Sequence, residues 1–417
     1  MIRRSFLFLF LFLLLPYSCG KRIVGPDNIP PTAEIISPKS GYTVPDTAKS
    51  IEIEVEATDN KKVTKVDFYI DSHLAYTDTT PPWTYIWPTV VYEDSSSHNI
   101  QAKAYDQAGN VGLSSVITVL IRVKSGLFLV GSFNSSANAY DVFVKNNYVY
   151  LANKFEGLKI FDVSDPSNPF ETGRFNTTQG FALAVFVSGN YAYLANGVGG
   201  LLILDVANPY HPDSLGRFNT SGQSKDVFVS GNYAYVADGN NGLQIIDISD
   251  PAHPDSVTSY RTNGSANGIY VSGNYAYIAN WTGLQIVDIS DPHHPDSVGF
   301  SDRPASAIQV FVSGNYAYVA SQYEGLYIFN VSNPAFPIMS DSNYTNWGAY
   351  GIFVDDTLAY VAQGDDGLSI LNVAQPFKPK VVAKYNTSGF SYNVYVYRNL
   401  IFLADNTTLS IFRYSIK

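Results

Sequence analysis

From Asp141 onward the hydrophobic positions fall into short alternating runs, and the runs come in fours. In one stretch they are DVFVSG (226–231), YAYVA (233–237), GLQIIDIS (242–249) and DSVTSYR (255–261). A period of two is that of a strand with one face buried. The joints carry turn chemistry. Ser230-Gly231-Asn232-Tyr233 predicts a hairpin turn, because Gly-Asn tolerates positive φ. Ser249-Asp250-Pro251-Ala252-His253-Pro254 ends a ladder, because neither proline can donate to it. The same phrase then returns. Its Gly-Leu pair falls at Gly157, Gly200, Gly242, Gly283, Gly325 and Gly367, with Thr408-Leu409 in a degraded seventh copy. The spacings are 43, 42, 41, 42, 42 and 41 residues. A fixed period of this length signals a repeat architecture, and four antiparallel strands per unit set round an axis describe a propeller blade.

Counting strands predicts how the ring closes. Fourth-type strands begin near Leu127, Phe170, Asp213, Asp255, Asp296, Pro337 and Pro379. The first, LFLVGSF (127–133), precedes any first-type strand, while the last unit ends at IFRYSI (411–416) with no fourth strand of its own. Seven complete blades therefore require 127–133 to join the unit at 391–416, which also removes an exposed sheet edge. The unit text resembles the LVIVD repeat family, whose name echoes segments such as Leu284-Gln285-Ile286-Val287-Asp288. The resemblance spans residues 125–417 and implies a β-propeller of the kind found in surface proteins. It says almost nothing about activity.

Ahead of the repeats the pattern is different. IEIEVEAT (51–58), VTKVDFYID (63–71), LAYTDT (74–79), WTYIWP (83–88), HNIQAKAYD (98–106) and SSVITVLIRV (114–123) read as strands of a small β-sandwich over residues 31–123. The text PPTAEIISPKSGYTV, ATDNKKVTKVDFYIDSHLAYTDTTPPWTYIW and AKAYDQAGNVG resembles bacterial immunoglobulin-like domains. Such domains commonly serve as spacers. The expected fold is all-β: a small immunoglobulin-like sandwich followed by a seven-bladed propeller.

The first residues carry a targeting pattern. Arg3-Arg4 precedes an apolar run from Phe6 to Leu15, too short to span a bilayer comfortably and suited to a signal peptide over residues 1–18. Cys19, the only cysteine in the chain, follows at once, and residues 20–30 complete a tether. Leu15-Pro16-Tyr17-Ser18-Cys19-Gly20 resembles a bacterial lipoprotein lipobox, although Pro16 stands where that motif has an aliphatic residue. The resemblance implies cleavage before Cys19 and lipidation there, hence an exported protein anchored to the outer or cytoplasmic membrane. The chain has a net charge of −10, and losing Arg3 and Arg4 leaves −12. That balance argues against nucleic acid and against electrostatic docking on anionic lipid, so membrane contact is expected through the lipid alone.

Candidate chemistry is sparse. No phosphate-binding glycine loop, nucleophile elbow or metal-spaced His/Cys cluster occurs. The loops predicted for one propeller face are nearly uniform, with SGNY at 188, 230, 272 and 313 and SDP or NP turns in six units. Those of the other face diverge, and divergent loops on a fixed scaffold are where sites are grafted. They supply a candidate binding face of Phe155, Trp281, Tyr323, Trp347, Tyr350, Phe390 and Tyr392, with Lys225 among the neighbouring loop residues. Aromatics beside amides and acids suit a glycan or protein ligand. The column before each first strand should line the channel mouth: Asp141, Ala184, Asp226, Gly268, Gln309, Gly351 and Asn393. No cofactor is required. Calcium could be held at Asp59, Asp106 and Asn110, but these also suit turns.

His211, His253, His293 and His294 recur at one turn position in different blades and should not converge on a metal. The recurrent Asp162, Asp205, Asp247 and Asp288 should tie the turns that follow them. The functional expectation is a monomeric, non-enzymatic envelope lipoprotein whose propeller binds a protein or glycan. A propeller hydrolase or lyase with an axial site, and a purely structural envelope scaffold, are the alternatives.

Overall fold

A computed structural model describes residues 27–45, 48–89, 96–121, 126–342, 345 and 348–415. Cys19 and the whole predicted signal segment lie outside these residues, as does Trp347. Every described element is a strand. The amino-terminal immunoglobulin-like domain has two sheets. One joins Thr32–Ser37, Ser50–Thr58 and Trp83–Pro88. The other runs in the order Tyr42–Val44, Ile117–Ile121, Ser97–Asp106, Val63–Ile70 and His73–Asp78, with Val111–Leu113 paired to Ser97–Asp106. Strand Ser97–Asp106 alternates strictly, burying His98, Ile100, Ala102, Ala104 and Asp106.

The repeats form seven blades. Six are four-stranded antiparallel sheets whose strands follow chain order. Their first strands are Asp141–Lys145, Ala184–Ser188, Asp226–Ser230, Ala266–Ser272, Ala307–Ser313 and Gly351–Asp355. We number these blades 1 to 6. Blade 7 begins at Ser391–Tyr397 and continues into one long element, Leu400–Ser415, that replaces two strands. Its residues 400–405 pair with 391–397 and its residues 408–415 pair with 126–134. At the junction Asn406, with φ 52°, pairs with Ala139 of the entering strand. The predicted closure is thus observed. Gly126 faces Ser415 and Phe133 faces Leu409, so the strand that enters the propeller completes its last blade.

Alternation along each strand sends neighbouring side chains to opposite blades. Between blades 3 and 4, Tyr235, Ala237, Leu243 and Ile245 meet Ile269, Val271, Ala276 and Ile278. Ala234 and Val236 turn the other way, toward Tyr193, Ala195 and Leu201 of blade 2. Each Tyr-Ala-Tyr stripe is therefore interblade packing, with a large ring filling the space that a small alanine leaves. Proline turns lock the rim. A Cβ on Gly173 would lie 2.2 Å from the Pro209 carbonyl oxygen, and one on Gly216 would lie 2.1 Å from that of Pro251. At these positions, and likewise at Gly131 and Gly299, the third-to-fourth turn of the next blade docks where only glycine fits.

Candidate functional site

The channel column does more than leave a lumen open. Residues with long polar side chains stand on blades 1, 3, 5 and 7 (Asp141, Asp226, Gln309, Asn393), and Ala184, Gly268 and Gly351 stand on blades 2, 4 and 6. Each carboxylate ties its own blade to the next. Asp141 accepts the N–H of Val142 at 2.8 Å and that of Val185 in blade 2 at 2.8 Å. Asp226 accepts those of Val227 and Ile269, both at 2.8 Å. Gln309 Oε1 accepts the N–H of Ile352 at 2.6 Å. The small residues let the first strand of the following blade come close, since a Cβ on Gly351 would lie 2.6 Å from the Asn393 Cα and one on Gly268 would lie 2.8 Å from the Gln309 Cα.

Seven is odd, so the alternation must fail once, and it fails at the closure. There Asn393 meets Asp141 and donates its amide N–H to Asp141 Oδ1. An amide facing a carboxylate is the pairing that avoids two buried like charges. Burial pushes the Asp141 carboxyl up to about 6. Burial, with the Asp141 charge adding to it, pushes Asp226 up to about 7.

Below this polar ring lies a second ring that sequence reasoning missed. Phe143, Phe186, Phe228, Tyr270, Phe311, Phe353 and Tyr395 touch in a closed circle, with neighbouring centroids 4.8–5.1 Å apart and planes tilted by 44–55°. They surround a narrow space of about 100 Å³. The signal was present: an aromatic stands two residues after the channel column in every unit. In an alternating strand such a position reads as ordinary core.

Above the polar ring opens a cavity of about 320 Å³. Its wall is the column one residue before the channel residues: Tyr140, Leu183, Lys225, Asn267, Ile308, Tyr350 and Tyr392, with Trp281 and Gln322 added by the loops. The chemistry is lopsided. Consecutive blades 6, 7 and 1 give Tyr350, Tyr392 and Tyr140, and the last two stack at 4.3 Å with planes 15° apart. Blades 3 and 4 give Lys225 and Asn267. Burial holds the Lys225 ammonium below its usual range, and burial pushes the Tyr392 hydroxyl up to about 12, so it remains a donor.

The mouth is rigid because the loops around it are tied by backbone. Lys154 and Ala182 exchange N–H···O bonds at 3.1 and 2.9 Å, and Gly197–Ser224, Gly239–Ala266 and Gly364–Ser391 repeat that bridge between successive blades. Side chains vary on a constant frame. Of the candidate face, Trp281, Tyr350 and Tyr392 line the cavity. Phe390 packs behind, 4.6 Å from Tyr350 and 4.8 Å from Tyr392. Tyr323 lies edge-on to Trp281 at 6.5 Å, and Phe155 packs on Phe181 at 6.0 Å; both are outside the cavity lining and well exposed.

A model of the LVIVD repeat matches residues 136–177, 179–220, 221–262, 263–301, 304–345 and 349–387, more than half of the chain. The chain belongs to the LVIVD-repeat family. A bacterial Ig domain model matches residues 31–102. No curated protein matches the chain. Among solved structures, it is similar to BamB from Moraxella catarrhalis, with TM-score 0.50, 14% identity, and coverage of 70% of this chain and 99% of that one. It is similar to the β-propeller domain of Cps50 (Swd1) from Myceliophteria thermophila, with TM-score 0.57, 10% identity, and coverage of 69% and 100%. A computationally designed protein, Ika8, gives TM-score 0.52 at 7% identity over 69% of this chain and 99% of its own. At these identities the likeness is one of fold.

The six matched LVIVD units are blades 1 to 6, and blade 7, where Thr408 stands in place of the glycine, lies outside the matched residues. Within the LVIVD units the recurrent aspartates tie turns. Asp162, Asp205, Asp247 and Asp288 each accept the N–H two residues on, at 2.8–2.9 Å. His253 and His294 are exposed and pair with Asp250 and Asp291 of their own turns. In the immunoglobulin-like domain, Asp106 accepts both the backbone N–H and the amide of Asn110, at 2.8 and 2.7 Å. Asp59 accepts the N–H groups of Lys61 and Lys62. Carboxylate oxygens of Asp27, Asp59 and Asp106 lie within 4.8 Å of one another, bringing in Asp27, which the sequence had not singled out. Asp141 and Asp226 form no such cluster among the described residues.

Proposed function

We propose that this LVIVD-repeat protein is an exported, lipid-anchored envelope protein whose propeller is a non-catalytic binding module for a glycan, held in the mouth of the central channel. The observation that carries the reading is the wall of three tyrosines on consecutive blades facing a polar side across one cavity. Aromatic faces stack on the apolar faces of sugar rings, and amides and hydroxyls satisfy the ring hydroxyls. A pocket of about 320 Å³ is at the small end for ligand sites, which suits one or two rings. A non-catalytic role is supported by the channel acids. Both oxygens of Asp141 and of Asp226 accept wall N–H groups, leaving them committed to the scaffold.

A glycan array probed with the full chain should give retained saccharides. Trp281→Ala and Tyr392→Ala should each weaken that binding by about tenfold or more while leaving the melting temperature near the parent's. Undiminished binding by both variants moves the ligand elsewhere. Turnover of the bound saccharide that is lost in Asp226→Asn would favour the hydrolase or lyase alternative. Absence of any retained saccharide, together with stable envelope complexes, would favour the scaffold.

The anchor rests on Cys19 and the apolar run before it. Cys19→Ser should release nearly all of the protein from the membrane fraction in fractionated cells, since one aliphatic anchor is the proposed membrane contact. A variant that still sediments with membranes rules out lipidation as the attachment.

A further inference from the structure

We infer that the mouth takes an acidic saccharide, with the sugar ring against the tyrosine wall and its carboxylate at Lys225. This deepens the glycan reading and rests on it. The argument turns on how the chain spends its cations. Lys159 is buried in blade 1 and is neutralised by Glu156 at 2.6 Å. Lys154 donates to the Tyr140 hydroxyl at 3.1 Å and lies over the rings of Tyr140 and Phe155. Lys154 and Lys225 both have no carboxylate partner among the described residues, but of the two only Lys225 lines the cavity. Its Nζ donates to Asn267 Oδ1 at 2.7 Å and to Ser265 Oγ at 3.2 Å, both neutral. Among the described residues no carboxylate lies within 4.0 Å of it.

The two acids of the mouth do not make up this deficit, because their oxygens face the wall N–H groups of blades 1 to 4. A half-buried ammonium without an anion is costly, and an arriving anion recovers that cost. Lys225 is also held in place. Asn267 is buried, and its amide is fixed by donation to the Ala307 carbonyl at 2.8 Å, which points Oδ1 at the lysine. An ammonium has three donors, so one remains for the ligand. One ammonium, with no arginine among the cavity residues, balances a singly charged carboxylate better than a phosphate or sulfate ester cluster. The tyrosine wall adds the requirement for a ring. A net charge of −10 over the whole chain repels diffuse anions, so recognition has to come from this local pair.

The test is calorimetry on the full chain with matched probes: oligogalacturonates, their methyl esters, which keep the ring and lose the charge, and sulfated oligosaccharides. The acid should bind about tenfold or more tighter than its ester. Lys225→Met should erase that preference, leaving acid and ester bound equally weakly, and Lys225→Arg should keep it. Circular dichroism melting of both variants separates lost binding from lost fold. Equal binding of acid and ester, or a preference that survives Lys225→Met, overturns this inference and leaves the glycan reading standing. So does binding of sulfated probes alone. Binding of no saccharide on the array overturns both.

Discussion

Replacing residues 126–134 by a flexible linker of equal length is expected to abolish the single cooperative unfolding transition of the propeller, or to lower its melting temperature by roughly 10–20 °C. The segment completes blade 7 by pairing with residues 408–415. It also fills both interblade cores that blade 7 shares. Val130 is buried among Val142, Val149, Phe161 and Ile411, and Phe128 and Phe133 pack against the same cluster. Phe133 lies 4.7 Å from Phe161 of blade 1. Leu127 packs on the other side, against the cluster of blades 6 and 7. Losing one buried aliphatic and three partly buried large side chains costs at least about 5 kcal/mol.

The continuation of the strand is held as well, since Lys159 Nζ donates to the Ser135 carbonyl at 2.6 Å and to Ser136 Oγ at 2.9 Å. The control is a circular permutant. Gly126 is paired with Ser415, so appending 126–134 after the last blade through a short turn should restore the transition. A linker variant that melts like the parent, or a permutant that fails to recover, contradicts closure by this strand.

How far the molecule was legible follows from what each signal depends on. Strands and turns were readable because they are local: period-two alternation and Gly-Asn or proline joints act within a few residues, and the closure followed from counting them. Blade 7 was harder. Thr408 stands where glycine stands elsewhere, and the expected turn became part of one continuous element, Leu400–Ser415. The mouth was half legible. Searching divergent loops for aromatics found Trp281, Tyr350 and Tyr392, but it also chose Phe155 and Tyr323, which sit on the rim. It passed over Tyr140, Leu183, Asn267 and Ile308, which stand one residue before the channel column and differ in type from blade to blade. Only the axis of the ring brings that column together. The large–small alternation of the channel column, and the pairing of Asn393 with Asp141 where seven blades force a break, are likewise properties of the closed ring. No single repeat contains them.

Replacing Asp141 by alanine tests that closed ring directly. At pH 5 the substitution is expected to cost about 3 kcal/mol, because it leaves the N–H groups of Val142 and Val185 and the amide of Asn393 without their acceptor. The cost should depend on pH, and its sign follows from the carboxyl. Burial raises the folded-state value to about 6 from the ordinary 3.8, so the native protein binds the proton more tightly than the unfolded chain does. The stabilisation this provides is complete below about pH 4 and is lost as pH rises through about 6. At about 1.4 kcal/mol per pKa unit, the loss amounts to about 3 kcal/mol.

The alanine variant has no such group, so its deficit relative to the parent should fall by roughly half between pH 5 and pH 8. Asp226, raised to about 7, extends the same trend to higher pH in the parent. Removing the Asp141 charge should also lower the Asp226 value, since that charge is one of its causes. Denaturant unfolding of parent and variant at pH 5 and pH 8 measures this. The many surface carboxylates are common to both proteins, so their titration cancels in the difference. A deficit that stays constant or grows with pH would mean that the Asp141 carboxylate is ionised and stabilising in the fold, and the tie between blades 7, 1 and 2 would then be an ion held by its donors.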